Sequence, residues 1–133
     1  MSLTDDIAAI AAAVYRELGA GHQEPPYQKA MEVGLRLRGL KFEAQKVVEI
    51  KYAGHYVGDC NVDVLVADSV AVELKAVGAT NAADRQQLMR YMTLLGVSDG
   101  MLINFAQVPR TKKGGVLSDL PEIHLLGGAE GAA

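Results

Sequence analysis

Three ionisable residues interrupt an apolar stretch in the middle of the chain, residues 62–76. Asp63 lies in its first half, and Glu73 and Lys75 lie in its second half with one residue between them. Stretches this rich in valine are typical of buried strands, which seldom carry charge without a partner or a function. Two carboxylates beside a lysine could hold a divalent cation and activate water, so the chemistry indicated is metal-assisted hydrolysis of a phosphodiester.

The spacing of these residues predicts that they meet across a hairpin. The stretch contains two short apolar strands with a turn at Asp68-Ser69. If the hairpin is symmetric about Asp68, Asp63 lies opposite Glu73, with their Cβ atoms about 5 Å apart on one face. Glu73 and Lys75 are two positions apart on a strand, so they share that face. A shift of one residue in the register would separate the two carboxylates.

Two opposed carboxylates repel each other and need a cation or a shared proton. Their hard oxygen atoms suit Mg²⁺, with Mn²⁺ as a substitute, and the Leu74 backbone carbonyl would add a ligand. The Lys75 ammonium is poorly placed to bind a cation; it is better used on the attacking water or on the phosphate charge. The alternative from the residues alone is a structural one, a cross-strand Lys–Glu ion pair beside a surface aspartate.

The composition is that of one globular domain. The chain has 133 residues, half of them hydrophobic, which is enough for a proper core. We expect a single domain over residues 1–126 and a flexible, glycine-rich tail over 127–133. Charged residues make up 22% and the net charge is −3, so the strongly basic balance of many nucleic-acid-binding domains is absent. A local basic patch would still allow such binding.

Cysteine usage and the N-terminus bear on location. Cys60 is the single cysteine, so no internal disulfide forms, which fits a reducing cytoplasm. The first residues are acidic where a signal peptide would be basic, and the apolar run Ile7–Val14 is too short to span a bilayer. We therefore expect a cytoplasmic protein that has no membrane partner.

Apolar residues at helical spacing predict two helices at the start of the chain. The first helix has Thr4 as its N-terminal cap and ends at Gly19. The second begins at or just after Glu24, where Pro25-Pro26 suit a first turn, and runs to about Arg38. Glu24 at this helix entrance is by itself a favourable partner for the helix dipole.

Alternating polar and apolar residues predict an antiparallel meander of three strands at 41–52, 56–67 and 70–76, the first interrupted near 46–47. A third helix is predicted from Thr80-Asn81 to Gly96, followed by a strand at 101–105 that joins the sheet in parallel. The chain then continues through a basic loop, which contains Arg110, Lys112 and Lys113, to an edge strand at 123–126. Gln87 and Tyr91 share a face of the third helix. The predicted fold class is α/β, with a mixed central sheet whose antiparallel three-stranded meander is flanked by helices.

Asp63 with Glu73-Leu74-Lys75 resembles the motif of the PD-(D/E)XK nuclease superfamily. The wider chain, residues 17–110, resembles the bacterial family within that superfamily that is named for a GxxExxR motif. The matching segments follow the family's order and are Gly21–Tyr27, Leu35–Leu40, Val57–Asp59, Val62–Val66, Val72–Ala76, Gln87–Tyr91 and Leu102–Phe105. Among these, Gln87–Tyr91 resembles the QxxxY helix of RecB-like nucleases.

The resemblance implies a restriction-endonuclease-like α-β-β-β-α-β core and a magnesium-dependent nuclease. Asp63 and Glu73 would be metal ligands together with the Leu74 carbonyl, and Lys75 would be the catalytic lysine. The expected partner is nucleic acid, and DNA is the form expected.

The resemblance also assigns accessory residues. Glu24 would be an acidic residue that faces the metal and could ligate it, and Gln87 and Tyr91 would line the site and contact substrate or support the carboxylates. Tyr27 stands where the family's motif has arginine, and Pro25-Pro26 could shift the start of the helix and so the aim of Glu24.

Two functions stay open at this point. The first is a metal-dependent nuclease that cuts DNA phosphodiesters by attack of an activated water, for which a homodimer is a reasonable expectation because so small a core offers a limited footprint. The second is a catalytically inactive module that keeps the fold for binding or assembly. The intact set of Asp63, Glu73, Lys75 and Gln87 favours the first, which is the function we expect. The acidic balance, the small size and the shortage of aromatic residues for stacking on single strands favour the second.

Overall fold

The computed structural model describes residues 2–109 and 118–128, and this part of the chain forms helices and strands in the predicted order. The elements are α1 (Leu3–Leu18), α2 (Glu24–Leu37), β1 (Phe42–Tyr52), β2 (His55–Val66), β3 (Val70–Lys75), α3 (Ala82–Leu95), β4 (Asp99–Asn104) and β5 (Glu122–Gly127). The predicted basic loop at Arg110, Lys112 and Lys113 lies outside the described residues. The flexible tail stays a prediction, because residues 129–133 also lie outside them.

The strands form one mixed sheet in the order β1-β2-β3-β4-β5. β1, β2 and β3 make the predicted antiparallel meander. β4 pairs parallel to β3, because α3 carries the chain back across the sheet, and β5 is antiparallel to β4. The predicted α/β class with a mixed central sheet is confirmed.

The turn between β2 and β3 sets the register of the hairpin. Val66 pairs with Val70, so the hairpin is symmetric about Asp68, as predicted. Ala67 and Asp68 have φ angles of 52° and 54°, and the Ser69 N–H donates to the Val66 carbonyl at 2.9 Å. The central turn residues are therefore 67 and 68, one position earlier than predicted, and the register is unaffected.

Two hydrophobic cores cover opposite faces of the sheet, which makes the domain three layers thick. The core under α1 and α2 includes Ile7, Ile10, Tyr27, Met31, Leu35, Val64, Val72, Leu74, Ile103 and Phe105. The core under α3 includes Val48, Val62, Ala71, Leu88, Met92, Leu102 and Leu126. No helix in residues 2–109 or 118–128 is long and apolar enough to cross a membrane.

At one point along β1 and β2, the side chains switch from one face of the sheet to the other. Val64 belongs to the core under α1 and α2, whereas Val62 belongs to the core under α3, although regular alternation would keep both on one face. Gln45 of β1 faces this point, has a φ angle of 51° and is skipped by the backbone pairing. The predicted interruption of β1 near 46–47 thus occurs at Gln45. Asp63 lies between Val62 and Val64, at the point in β2 where the side chains switch faces.

Local capping fixes where the first two helices begin. Ser2, and not the predicted Thr4, caps α1, because the Ser2 hydroxyl accepts a hydrogen bond from the Asp5 N–H at 3.2 Å. α2 begins at Glu24 with Pro25-Pro26 in its first turn, as predicted. Glu24 is therefore the first residue of α2, at the N-terminus of the helix.

Tyr27 secures the segment that leads into α2. It is fully buried, and its ring stacks on that of Phe105 with 4.3 Å between the centroids. Its hydroxyl donates to the Gly19 carbonyl at 2.6 Å and accepts from the His22 N–H at 3.3 Å. Tyr27 thus belongs to the core.

We expect Tyr27→Phe to lower the free energy of unfolding by about 1–2 kcal/mol, because it removes the hydrogen bond to the Gly19 carbonyl. Tyr15→Phe is the matched control. Tyr15 is buried in the same core, and its hydroxyl makes no hydrogen bond to a residue that the structure describes. Urea denaturation of both variants measures the difference, and equal losses in the two would contradict the role given to the Tyr27 hydroxyl.

Candidate active site

Asp63 and Glu73 occupy a gap in the backbone pairing between β2 and β3. Regular pairing ends at Val64 and Val72, and beyond them the two carboxylates take the place of strand hydrogen bonds. The Asp63 N–H donates to Oε1 of Glu73 at 3.1 Å, and the Leu74 N–H donates to Oδ2 of Asp63 at 2.8 Å. Each carboxylate thus bonds to the backbone of the opposite strand, and the two acidic residues are brought together.

Gln28 of α2 completes the hydrogen bonding of the Asp63 backbone. Its side-chain Nε2 donates to the Asp63 carbonyl at 3.0 Å and to Oε2 of Glu32 at 3.0 Å. Gln28 and Glu32 are both buried. Neither was a candidate from the sequence, although their four-residue spacing after Glu24 places all three on one face of α2.

A cleft of about 480 Å³ opens beside this gap. Its walls come from α2 and β1, including Glu24, Gln28 and Gln45, and it reaches Asp63 and Leu74. The amide of Gln45 also lies 3.4 Å from Oδ1 of Asp63, as a weak donor. The cleft therefore gives solvent access to the Asp63 carboxylate.

Lys75 lies on the α3 side of the sheet with Glu73, because both alternate along β3 with Leu74, which packs in the opposite core. Its Nζ is 3.9 Å from Oδ1 of Asp84. Asp84 also accepts the Asn81 N–H at 3.0 Å in the capping box that begins α3. Asp84 thus joins the first turn of α3 to the candidate catalytic lysine.

The electrostatics of the acidic residues are coupled. Burial and then the charge of Asp63 raise the pKa of Glu73 to about 8. Burial also raises the pKa of Asp63, against the lowering effects of the Leu74 N–H and of Lys75. At Glu24 burial comes first and the Asp63 charge second, and both raise its pKa. The site thus holds more negative charge than Lys75 offsets, which favours a bound cation or proton.

α3 brings Tyr91 within electrostatic reach of the carboxylates. Burial and then the charge of Glu73 raise the pKa of Tyr91. Gln87, one turn earlier, is half-buried, and its side chain makes no hydrogen bond to another described residue. The structure therefore links Tyr91 to the acidic residues and gives Gln87 no partner there.

The donor set matches a small divalent cation that keeps several waters. Asp63 and Glu73 supply two carboxylates, and the Leu74 carbonyl projects to the same side of β3 as its N–H, toward Asp63. Within residues 2–109 and 118–128, no three His, Cys, Asp or Glu side chains are grouped closely enough to hold a metal by themselves. A cation here would complete its shell with the carbonyl and water.

A family model described as the PD-(D/E)XK nuclease superfamily matches residues 1–115. The chain belongs to this superfamily. Members of the superfamily generally use divalent metal ions, in keeping with the donor set. The match confirms the superfamily predicted from the residues around Asp63 and Glu73, while the GxxExxR family and the QxxxY subgroup stay predictions.

One solved structure shares the fold of this PD-(D/E)XK domain. The crystal structure of SSO0001 matches with a TM-score of 0.51 at 14% identity, over 93% of this chain and 64% of that one. This chain thus spans less than two thirds of the length of SSO0001, and at this identity the similarity shows the fold alone. An alkaline exonuclease, LHK-Exo from Laribacter hongkongensis, matches with a TM-score of 0.38 at 12% identity, over 93% of this chain and 81% of that one. No curated protein matches the sequence.

Without metal, the free energy of unfolding should fall as the pH rises from about 4.5 to about 8. Glu73 holds its proton up to about pH 8 when folded, but only to about 4.5 when unfolded, so the folded protein binds the extra proton within this window. Each pH unit there removes up to about 1.4 kcal/mol. Urea denaturation in chelator at several pH values measures the slope.

Glu73→Gln should flatten this slope, because the amide oxygen keeps the acceptor for the Asp63 N–H and removes the titrating group. The matched control is Glu17→Gln, an exposed position on α1. A slope that is the same in wild type and in Glu73→Gln would assign the pH dependence to other groups.

Gln28→Leu should lower the free energy of unfolding by about 1–3 kcal/mol, because it leaves the Asp63 carbonyl and the buried Glu32 carboxylate without their donor. Gln23→Leu is the matched control, since Gln23 is exposed at the start of α2 and its side chain makes no capping hydrogen bond. Thermal and urea unfolding of the two variants provide the comparison. A Gln28→Leu protein as stable as Gln23→Leu would show that these bonds contribute little.

Proposed function

We propose that this protein is a nuclease that hydrolyses phosphodiester bonds in DNA with a divalent metal ion, through attack of an activated water. The observation that carries the proposal is the gap between β2 and β3, where Asp63 and Glu73 converge in a chain of the PD-(D/E)XK superfamily. Buried acidic groups in so small a space favour a cation. The cleft beside Asp63 gives a phosphate access to them.

In this proposal Asp63, Glu73 and the Leu74 carbonyl hold Mg²⁺, or Mn²⁺ in its place. The bound ion supplies a Lewis acid for the phosphate and a site for an acidic water. Lys75, on the same face as Glu73 and steadied by Asp84, orients the attacking water or stabilises negative charge on the phosphate. Gln28 keeps Asp63 in place through its backbone carbonyl.

The accessory roles are part of the same proposal. Glu24 stands at the N-terminus of α2 and lines the cleft with Asp63, so it is placed to bind the metal through water or directly. Tyr91 supports Glu73 or contacts substrate from α3, and Gln87 becomes engaged only when substrate is present. The GxxExxR family and a homodimer that enlarges the DNA footprint belong to this proposal as well.

The second candidate is a catalytically inactive PD-(D/E)XK module that binds or assembles. The observation on its side is that the described residues contain no group of three metal-binding side chains. The net charge of −3 points the same way, because it opposes tight binding to a polyanion.

We expect cleavage of labelled DNA in Mg²⁺ or Mn²⁺ and none in chelator. Asp63→Asn and Lys75→Ala should each lower the rate by about 100-fold or more, a loss of the size seen when one transition-state contact is removed. The matched controls are Asp59→Asn, an exposed position on the same strand as Asp63, and Lys41→Ala, which is exposed just before β1. Single- and double-stranded DNA and RNA should all be tried.

Calorimetric titration with Mn²⁺ provides a readout that does not depend on turnover. Wild type should bind the ion more tightly at pH 8 than at pH 6, because the ion displaces the proton that Glu73 otherwise holds. Asp63→Asn should bind it weakly at both values. If wild type binds no metal and cuts none of the four substrate classes, the inactive module is the better account.

A further inference from the structure

An apolar groove of about 430 Å³ lies between α3 and the β1–β2 hairpin. Its lining includes Ile50, Cys60, Met89, Tyr91 and Leu94. Met89 is 55% exposed and Leu94 is 43% exposed, although both are large apolar side chains. The groove shares no lining residue with the cleft that contains Glu24. It is thus a separate surface on the α3 side of the sheet.

The groove adjoins the acidic residues through Tyr91. Tyr91 lines the groove and packs against the core under α3, and the charge of Glu73 acts on its hydroxyl. Cys60, in the groove lining across from α3, is also within reach of the Glu73 charge. Tyr91 and Cys60 pack against the core that contains Val62, the residue next to Asp63, and Glu73 and Lys75 lie on this same side of the sheet. A phosphate that is held on the α3 side of the acidic pair therefore has the groove beside it.

One cation stands at the groove. Arg90 belongs to its lining, is exposed, and forms no ion pair with any residue that the structure describes. An exposed arginine beside an apolar surface and a tyrosine ring is a combination that recognises nucleic acid, because the guanidinium binds phosphate while the apolar surface and ring receive a base. The chain has few aromatic residues, but one of them is in the groove.

We infer that this groove receives an unpaired base of the nucleic acid whose phosphate lies at Asp63 and Glu73, so that the substrate class is single strands or frayed ends. The inference rests on the proposed function and deepens it. A base inside a duplex would have to leave its stack to reach the groove, which costs a few kcal/mol that an unpaired base does not pay. Single strands therefore gain the contact at lower cost.

A second copy of this chain is a poorer occupant. Two copies that meet through the same groove about a two-fold axis would bring their Arg90 side chains together, since a symmetric interface uses one patch twice. Like charges placed against each other oppose association, whereas a polyanion complements them. The charge at the groove thus favours nucleic acid.

The test measures binding with Ca²⁺ in place of Mg²⁺, so that a cation can bridge the phosphate to the carboxylates, and a gel of the recovered oligonucleotide verifies that it is uncut. A labelled single-stranded oligonucleotide that contains 2-aminopurine reports affinity by anisotropy and base stacking by fluorescence quenching. Met89→Gln and Leu94→Gln replace apolar side chains of the groove with uncharged polar ones. Leu37→Gln is the matched control, because Leu37 is 82% exposed on α2 and away from the groove. We expect the two groove variants to bind about fivefold or more weakly and to lose quenching, as loss of base stacking predicts.

Three outcomes would overturn the inference. Wild type binds no single strand, or all three glutamine variants bind it as wild type does, or Met89→Gln dissociates a dimer in light scattering and leaves the affinity unchanged. A separate cleavage assay in Mg²⁺ distinguishes this failure from failure of the proposed function. Cleavage without groove dependence leaves the nuclease proposal standing alone. Groove-dependent binding without cleavage supports the groove and contradicts the nuclease proposal.

Discussion

The structure depends on how the backbone of Asp63 is satisfied. At this residue β2 leaves regular pairing on both sides, so its N–H and carbonyl would be buried without partners, at a cost of a few kcal/mol. The Glu73 carboxylate and the Gln28 amide supply those partners. Three elements, α2, β2 and β3, are thereby joined at the residue most suited to chemistry. Stability and the candidate site therefore draw on the same groups.

The hairpin could be predicted because its determinants are local. Valine alternation and a turn near Asp68 fix which residues face each other, and the observed pairing of Val66 with Val70 follows from them. The change of face opposite Gln45 could not be predicted in detail, because it needs a positive φ angle at a residue that seldom adopts one. The change of face occurs at Gln45, one residue before the predicted interruption at 46–47. The spacing of polar residues shows that the alternation breaks, but it does not show the backbone geometry of the break.

For the same reason, only part of the candidate site could be predicted from the sequence. Asp63, Glu73 and Lys75 are close in sequence, so strand spacing alone indicates their meeting. The bond from Gln28 to Asp63 spans 35 residues and depends on how α2 lies over the sheet. The approach of Asp84 to Lys75 likewise depends on where the α3 crossover begins. Patterns within one element carry no information about such placements.

The difference in sequence separation also bears on the order in which the site opens. The acidic pair closes a loop between positions 63 and 73, whereas the bond from Gln28 must organise a much longer stretch of chain, which costs more entropy. An opening in which the Gln28 bond breaks before the acidic pair separates would leave the hairpin intact, with Asp63 and Glu73 still together but uncovered. Such an opened state would let a bulky phosphodiester substrate enter and leave while Asp63 and Glu73 keep their relative geometry.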